Sequence, residues 1–425
     1  MLYNESNTNR WEVSSFMKKY VQVGCGIRGS AYNQTLTSGK FDDCAELCGL
    51  YDLNPKRAQV ASERCKVHPE VFTDFDEMLQ EVKPDTVIVT SKDCTHDEYI
   101  IKSLRAGCDV ISEKPLTTTF EKALAIQKAE KESGKQVRVT FNLRFSPFYK
   151  QVKEILASGA IGEIYSVNVE WMLDTHHGAD YFRRWHRERA NSGSLLVHKS
   201  THHFDLINWY LEQEPLYVHA FGKRRFYGTN QPQPAERCLT CEERCPYYFN
   251  IDRTPHREVY LNCEDADGYK RDKCIFSDEI DIEDTISISV EYSGGALLTY
   301  SLNAHCPYEG HVFTFNGSKG RLEVRSSYQS STTSYGQSHT QNSILLYDRA
   351  HNCTEIPIAE ADESGHGGAD GLLMEGLFRG KPEDPLCQFA DTWAGMMSIG
   401  IGMAANISMA ENRRVALSEF YEELK

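Results

Sequence analysis

What most limits the folds open to this chain is a glycine turn set between a strand and a helix. Tyr20-Val21-Gln22-Val23 reads as a short apolar strand, and Gly24-Cys25-Gly26-Ile27-Arg28-Gly29 follows at once. In the pattern Gly-x-Gly-x-x-Gly the glycines permit a tight turn and let the backbone approach a pyrophosphate. The helix that opens near Gly29 then aims its first amides at the anion. Gly24, Gly26, Ile27, Arg28 and Gly29 are therefore candidate cofactor contacts. Ala45 to Tyr51 reads as a second strand ending in Asp52, at about the 20-residue offset expected of a ribose-binding acid. An acid there favours NAD, because it accepts from the ribose hydroxyls and repels a 2'-phosphate; Lys56 and Arg57 keep NADP open.

Strand and helix signals then alternate. Helices are predicted over Pro55 to Arg64, Asp74 to Val82, Thr95 to Ala106 and Phe120 to Ser133, with strands at Val71-Phe72, Thr86 to Val89, Asp109 to Ser112 and Val137 to Phe141. Such alternation implies a doubly wound parallel sheet, a Rossmann-type nucleotide-binding domain. The strand at Asp109 runs into Glu113-Lys114-Pro115, which puts a lysine at the C-terminal lip of the sheet, where open α/β folds bind ligands. Proline after Lys114 restricts it to extended geometry. A turn carrying a solvated lysine is the plain alternative for so short a motif.

Composition narrows the partners. The chain has 46 basic and 61 acidic residues and a net charge of -15, which disfavours nucleic acid or an anionic membrane. No apolar run approaches a membrane span, and Met1 to Asn9 is polar, so a cytoplasmic protein is expected. Six of the 14 cysteines precede residue 140 without framework spacing, as reduced and mostly buried thiols would.

From Ile161 the pattern changes. Glu163 to Met172 alternates apolar and polar, and Thr285 to Tyr292, Ala296 to Leu302, His311 to Asn316 and Arg321 to Val324 resemble strands joined by Ser293-Gly294-Gly295 and Gly317 to Gly320. The expectation is an α+β domain, an open and mostly antiparallel sheet with helices on one face. Ser326 to Ser343 reads as a polar hairpin or loop.

Taken together, the chain resembles the glucose-fructose oxidoreductase and inositol dehydrogenase family (Gfo/Idh/MocA). The resemblance rests on Gly24 to Gly29, Asp52, Thr90-Ser91-Lys92-Asp93-Cys94-Thr95-His96, Ala106-Gly107 and Glu113-Lys114-Pro115. It continues in Phe141-Asn142-Leu143-Arg144-Phe145-Ser146-Pro147 and Gly159-Ala160-Ile161-Gly162-Glu163-Ile164. It implies an NAD-binding domain over residues 1–141, and a substrate and oligomerisation domain over 142–425 that forms a homodimer or homotetramer. Ser91, His96, Glu113 and Lys114 would join the cofactor contacts, and Arg144 the substrate contacts. His202, aligned on His-x-x-Asp-Leu, takes the place of the catalytic histidine, a group suited to accept a hydroxyl proton. Lys114 would polarise the same oxygen.

Two departures from the family pattern stand out. Ser91-Lys92-Asp93 replaces the common Thr-Pro-Asn before His96, and His198 replaces the aspartate four residues before His202, which removes an anionic orienter. His198 is a third catalytic candidate, as a relay partner of His202; His198 and His203 read equally as core residues, and His198 with His202 could share a helical face as metal ligands. Tyr181, Arg184, Trp185 and His186 are candidate sugar contacts or else part of an exposed basic helix start. His366, in His-Gly-Gly-Ala-Asp, is a candidate substrate contact or a helix entry. Within an unfamiliar insertion, about 222–281, Cys238, Cys241 and Cys245 have spacing that admits a structural zinc, with free thiols or a disulfide as the alternative.

The activity expected is hydride transfer between NAD and a secondary hydroxyl of a sugar, sugar derivative or cyclitol. Competing readings are an NAD-dependent glycoside hydrolase or lyase acting through transient oxidation, and a non-catalytic NAD-bound sensor.

Overall fold

The computed structural model describes residues 17–328, 341–359, 368–380 and 383–421. The first sheet is built from β1 (Lys18–Val23), β2 (Ala45–Tyr51), β3 (Glu70–Phe72), β4 (Thr86–Val89), β5 (Asp109–Ser112) and β6 (Val137–Val139), in the order β3-β2-β1-β4-β5-β6. Every pairing is parallel. Short strands buried on both faces, such as Thr86–Val89, need helices on each side, and the intervening segments supply them. Local chemistry sets the helix ends. Asp74 accepts from the Glu77 amide at 2.8 Å, and Thr119 caps the helix Phe120–Ser133, which Gly134 ends in left-handed geometry.

The second sheet has nine strands: β7 (Ile164–Asp174), β8 (Pro215–Lys223), β9 (Thr285–Tyr292), β10 (Leu297–Cys306), β11 (Glu309–Gly317), β12 (Gly320–Tyr328), β13 (Gln341–Asp348), β14 (Cys353–Glu355) and β15 (Val415–Ala416). Their order is β14-β13-β12-β11-β7-β10-β9-β8-β15. Both glycine-rich turns close hairpins as expected, β9 with β10 and β11 with β12. The strands β10 and β11 do not pair with each other. Instead β7 lies between them, parallel to β10 and antiparallel to β11, so the sheet is mixed at its centre.

One helix joins the two halves. Thr392–Glu411 is apolar on nearly all sides and buries Met396, Ile399, Ile401, Ala404 and Ala405 against β8, the helix Thr201–Leu211 and the helix Phe120–Ser133. Two of its glycines allow close approach. A Cβ on Gly395 would sit 3.0 Å from Leu116 Cβ, and one on Gly402 would sit 2.5 Å from the Leu196 carbonyl oxygen. Leu116 follows Lys114-Pro115, and Leu196 precedes His198, so this helix clamps the two loops that form the site.

Between β8 and β9 the insertion forms loops and short helical turns around Tyr227, Ile251, Val259, Ile275 and Phe276. All 14 cysteines are unpaired thiols. The zinc reading of Cys238, Cys241 and Cys245 is corrected here. Among the described residues no group of three or more His, Cys, Asp or Glu is arranged to hold a metal ion. Cys238 is buried with the Arg183 guanidinium 3.2 Å from its sulfur, whereas Cys241 and Cys245 are only half-buried. The same finding removes the metal reading of His198 and His202. No helix among the described residues is long and apolar enough to cross a membrane. Residues 329–340, the middle of the predicted polar hairpin, lie outside the described residues.

Candidate active site

The glycine turn has the form its sequence implies. Gly24 adopts φ +89, and a Cβ there would lie 2.5 Å from the Thr90 carbonyl carbon; a Cβ on Gly29 would lie 2.4 Å from the Gly24 oxygen. Only glycine fits at either position. Beneath the turn, buried Gln22 donates from Nε2 to the Gly24 oxygen at 2.8 Å. The helix Ile27–Leu36 has no acidic residue in its first turn and no side-chain cap. Its Ile27 amide meets only an exchangeable hydroxyl, Tyr260 Oη at 3.2 Å. These are the features a dinucleotide pyrophosphate needs, and NAD fits the residues present. Asp52 stands at the end of β2, where it accepts from the Cys25 amide at 2.7 Å, the Asn54 amide at 2.8 Å and Arg57 Nη1 at 3.0 Å.

Several residues expected to touch the cofactor instead hold the loops in place. Arg28 donates to Glu113 at 2.6 Å and, through both Nη atoms, to Asp370 at 3.1 Å. That commits its guanidinium to protein carboxylates and leaves its main chain in the glycine turn. Glu113 also accepts from Tyr32 Oη at 2.7 Å and from the Lys114 amide at 3.1 Å. Burial alone would raise the Glu113 carboxyl; Arg28 and Lys114 outweigh it and hold it below the usual range. His96 is buried with Nδ1 2.8 Å from the Pro115 oxygen and Nε2 3.2 Å from the Ser91 oxygen. It ties the Lys114-Pro115 loop, whose peptide is cis, to the loop after β4. Ser91 accepts from Thr95 Oγ1 at 2.9 Å.

Lys114 extends from the C-terminal edge of β5 across to the second domain, where Nζ donates to the His198 carbonyl oxygen at 3.0 Å. The His198 ring meets a carboxylate, with Nδ1 2.6 Å from Asp93 Oδ2 across 105 residues of sequence. Asp93 belongs to one departure from the family pattern and His198 is the other, so the carboxyl lost at residue 198 returns from residue 93. Burial pulls Lys114 down from the usual lysine range to about 8, opposed by Asp93 and Glu113. Burial pushes the Asp93 carboxyl up, opposed chiefly by Lys114. Burial and Lys114 together hold His198 neutral, well below the usual histidine range.

Rings surround His198. His186 meets it edge-on at 4.0 Å between centroids, Tyr181 at 5.6 Å and Trp185 at 5.7 Å, and Trp185 stacks on His186 at 3.6 Å. Tyr181 Oη lies 2.9 Å from His177 Nε2, and His177 Nδ1 2.8 Å from Glu309. Arg184 pairs with Asp180 at 3.0 Å, and Asp180 is bound on its other side by Arg271 of the insertion at 2.9 and 3.1 Å. The structure thus gathers Tyr181, Trp185 and His186 at one wall, with Arg184 braced behind.

His202 opens the helix Thr201–Leu211, directly after the turn that carries His198, and its buried ring lies edge-on to Phe141 at 6.0 Å. His203 is a core residue. It stacks on Trp171 at 3.5 Å and places Nδ1 2.8 Å from Tyr300 Oη. Arg144, expected as a substrate contact, is tied inside the protein: Nε and Nη2 donate to Asp205 at 2.8 and 2.6 Å, and Nη1 to the Cys387 oxygen at 2.8 Å. His366 lies outside the described residues.

The contacts of Asp93 with His198 and of Tyr260 with Ile27 are what the sequence did not reveal. No spacing rule links residue 93 to 198 or residue 27 to 260; only the fold brings them together.

Comparison with known proteins agrees with this construction. Residues 18–141 match the Gfo/Idh/MocA oxidoreductase family model described as an NAD-binding Rossmann fold, and residues 153–417 match the model of its C-terminal alpha/beta domain. YteT of Bacillus subtilis (strain 168), named as a candidate oxidoreductase, is 40% identical over 425 residues, 94% of this chain and 98% of its own length. Inositol 2-dehydrogenase 2 of Saccharopolyspora erythraea is 31% identical over 207 residues, 48% of this chain and 56% of its own. An Agrobacterium radiobacter oxidoreductase solved with NAD+, L-tartaric acid and magnesium shares the fold, with TM-score 0.65 and 15% identity over 95% of this chain and 99% of that one. Myo-inositol 2-dehydrogenase from Lactobacillus plantarum does so with TM-score 0.62 and 16% identity over 94% of this chain and 99% of its own. With both domain models matched in order around the glycine turn and Glu113-Lys114-Pro115, the chain belongs to the Gfo/Idh/MocA family of oxidoreductases, and its first domain is that family's NAD-binding Rossmann fold.

Proposed function

We propose that this protein oxidises a secondary hydroxyl of a sugar, sugar derivative or cyclitol. What carries the reading is Lys114, which leaves the C-terminal edge of the nucleotide sheet and ends 3.0 Å from the His198 oxygen, close to the rings gathered around His198. Bound NAD supplies the hydride acceptor. Aromatic faces with polar edges, as Tyr181, Trp185 and His186 offer, suit a ring that is apolar on its faces and hydroxylated at its rim. Relatives named inositol 2-dehydrogenase support the same substrate class.

The roles follow from charge. The Lys114 ammonium lies against the reacting oxygen and stabilises negative charge as it grows there, a preorganised electrostatic contribution. His202 takes the hydroxyl proton. Asp93, through its bond to His198 and its attraction for Lys114, keeps the lysine protonated and in place. The test is an assay of NADH formation with a panel of cyclitols, aldoses, uronic acids and their glycosides. Accumulating NADH supports the reading; release of an aglycone without net NADH would replace it with redox-assisted glycoside cleavage.

A further inference from the structure

The insertion between β8 and β9 reaches back across the molecule and docks on the nucleotide-binding domain. Asn54 Nδ2 donates to the Cys263 oxygen at 2.8 Å, Arg57 Nε to the Val259 oxygen at 3.2 Å and Arg64 to Glu258 at 2.6 Å. Tyr260 sits on the glycine turn through the Ile27 amide. With so many anchors, the acidic residues that follow Tyr260 have fixed places. Asp265 pairs with Lys56 at 2.5 Å, and Asp267 pairs with Arg57 Nη2 at 2.9 Å.

Lys56 and Arg57 are the cations that an NADP 2'-phosphate would use. They follow the ribose acid by four and five positions, and Arg57 Nη1 is 3.0 Å from Asp52 itself. An arginine beside the ribose acid is a known means of accepting a 2'-phosphate. Here Arg57 is buried, and its donors are divided among Asp52, Asp267 and the Val259 oxygen. Two cations thus face three carboxylates, and a dianionic phosphate placed among them would meet net negative charge and a guanidinium whose three nitrogens each already have a partner.

We propose that Asp265 and Asp267 of the insertion are specificity-determining residues of the cofactor site, which reject NADP by occupying Lys56 and Arg57. This rests on the NAD assignment and not on the identity of the substrate. The experiment is fluorescence titration of the full-length protein with NADH and with NADPH, as wild type and as the double variant Asp265→Asn/Asp267→Asn. The wild type should bind NADH more tightly. In the double variant the NADPH-to-NADH ratio of dissociation constants should fall by about tenfold, the change expected when one charge-assisted contact is made available. Glu258→Gln serves as the control, since it loosens the Arg64 anchor without freeing Lys56 or Arg57, and it should leave the ratio unchanged. An unchanged ratio in the double variant, an equal fall in Glu258→Gln, or a wild type that prefers NADPH would each overturn the proposal. A wild type that binds neither nucleotide would instead count against the cofactor assignment.

Discussion

At the scale of single residues, the decisive contact is the 2.6 Å bond between Asp93 and His198, because it sets the charge beside Lys114. Lys114 is drawn down to about 8, with Asp93 the foremost group resisting the fall. If the ammonium form is the active one, oxidation should decline as pH rises through about 8. Removing the Asp93 charge removes an attraction that favours the ammonium, so Asp93→Asn should move that alkaline limb to lower pH. A limb that stays in place would show that Asp93 does not govern Lys114. In the same assays His202→Ala should lower turnover by about 10²–10⁴-fold, the range for a lost general base, with NADH affinity unchanged. Near-normal turnover in His202→Ala would return the proton to His198, whose Nδ1 already has a carboxylate partner.

At the scale of elements, the site is held by loops pinned to one another across the domain boundary and, within the second domain, to its helices. Arg144 and Asp205 form the most buried of these ties, with side chains 6% and 2% exposed. Breaking such a pair from one side strands the other charge, at a cost of about 3–5 kcal/mol. Arg144→Ala should therefore lower stability by that amount in urea unfolding while leaving KM little changed; unchanged stability with a raised KM would restore Arg144 to the substrate site. This tie also shows where sequence reasoning ends. The helices Pro55–Arg64 and Phe120–Ser133 and the strand Thr285–Tyr292 were legible to the residue, because caps, proline and strict alternation act locally. The helix Thr392–Glu411 was not, since a segment buried on almost every side shows no amphipathic period. Nor was the place of β7 between β10 and β11, because pairing order depends on distant segments. The motif residues were legible as a set, yet Arg28 and Arg144 carry their charge inward to protein partners, which no motif reveals.

At the scale of the whole molecule, the second sheet has a face that the described residues leave exposed around β8, β9 and β10. Phe221, Ser287, Ser289, Glu291, Leu297 and Thr299 are exposed on it, a mixture of small hydroxyls and two large apolar side chains. An antiparallel face of this kind is available to a second copy, and a homodimer or homotetramer is the proposed assembly. Light scattering should give a multiple of the 48.4 kDa chain mass, and Phe221→Asp with Leu297→Asp should shift it toward the monomer. A wild-type monomer at micromolar concentration would contradict the assembly. In the proposed reaction one lysine, reaching from the nucleotide sheet to the rings around His198, works on the reacting oxygen. The most direct test is NADH formation by wild type and Lys114→Ala on a polyol the wild type oxidises. The variant should bind NADH and remain folded, yet turn over at least about a hundredfold more slowly; turnover near the wild-type rate would contradict the account.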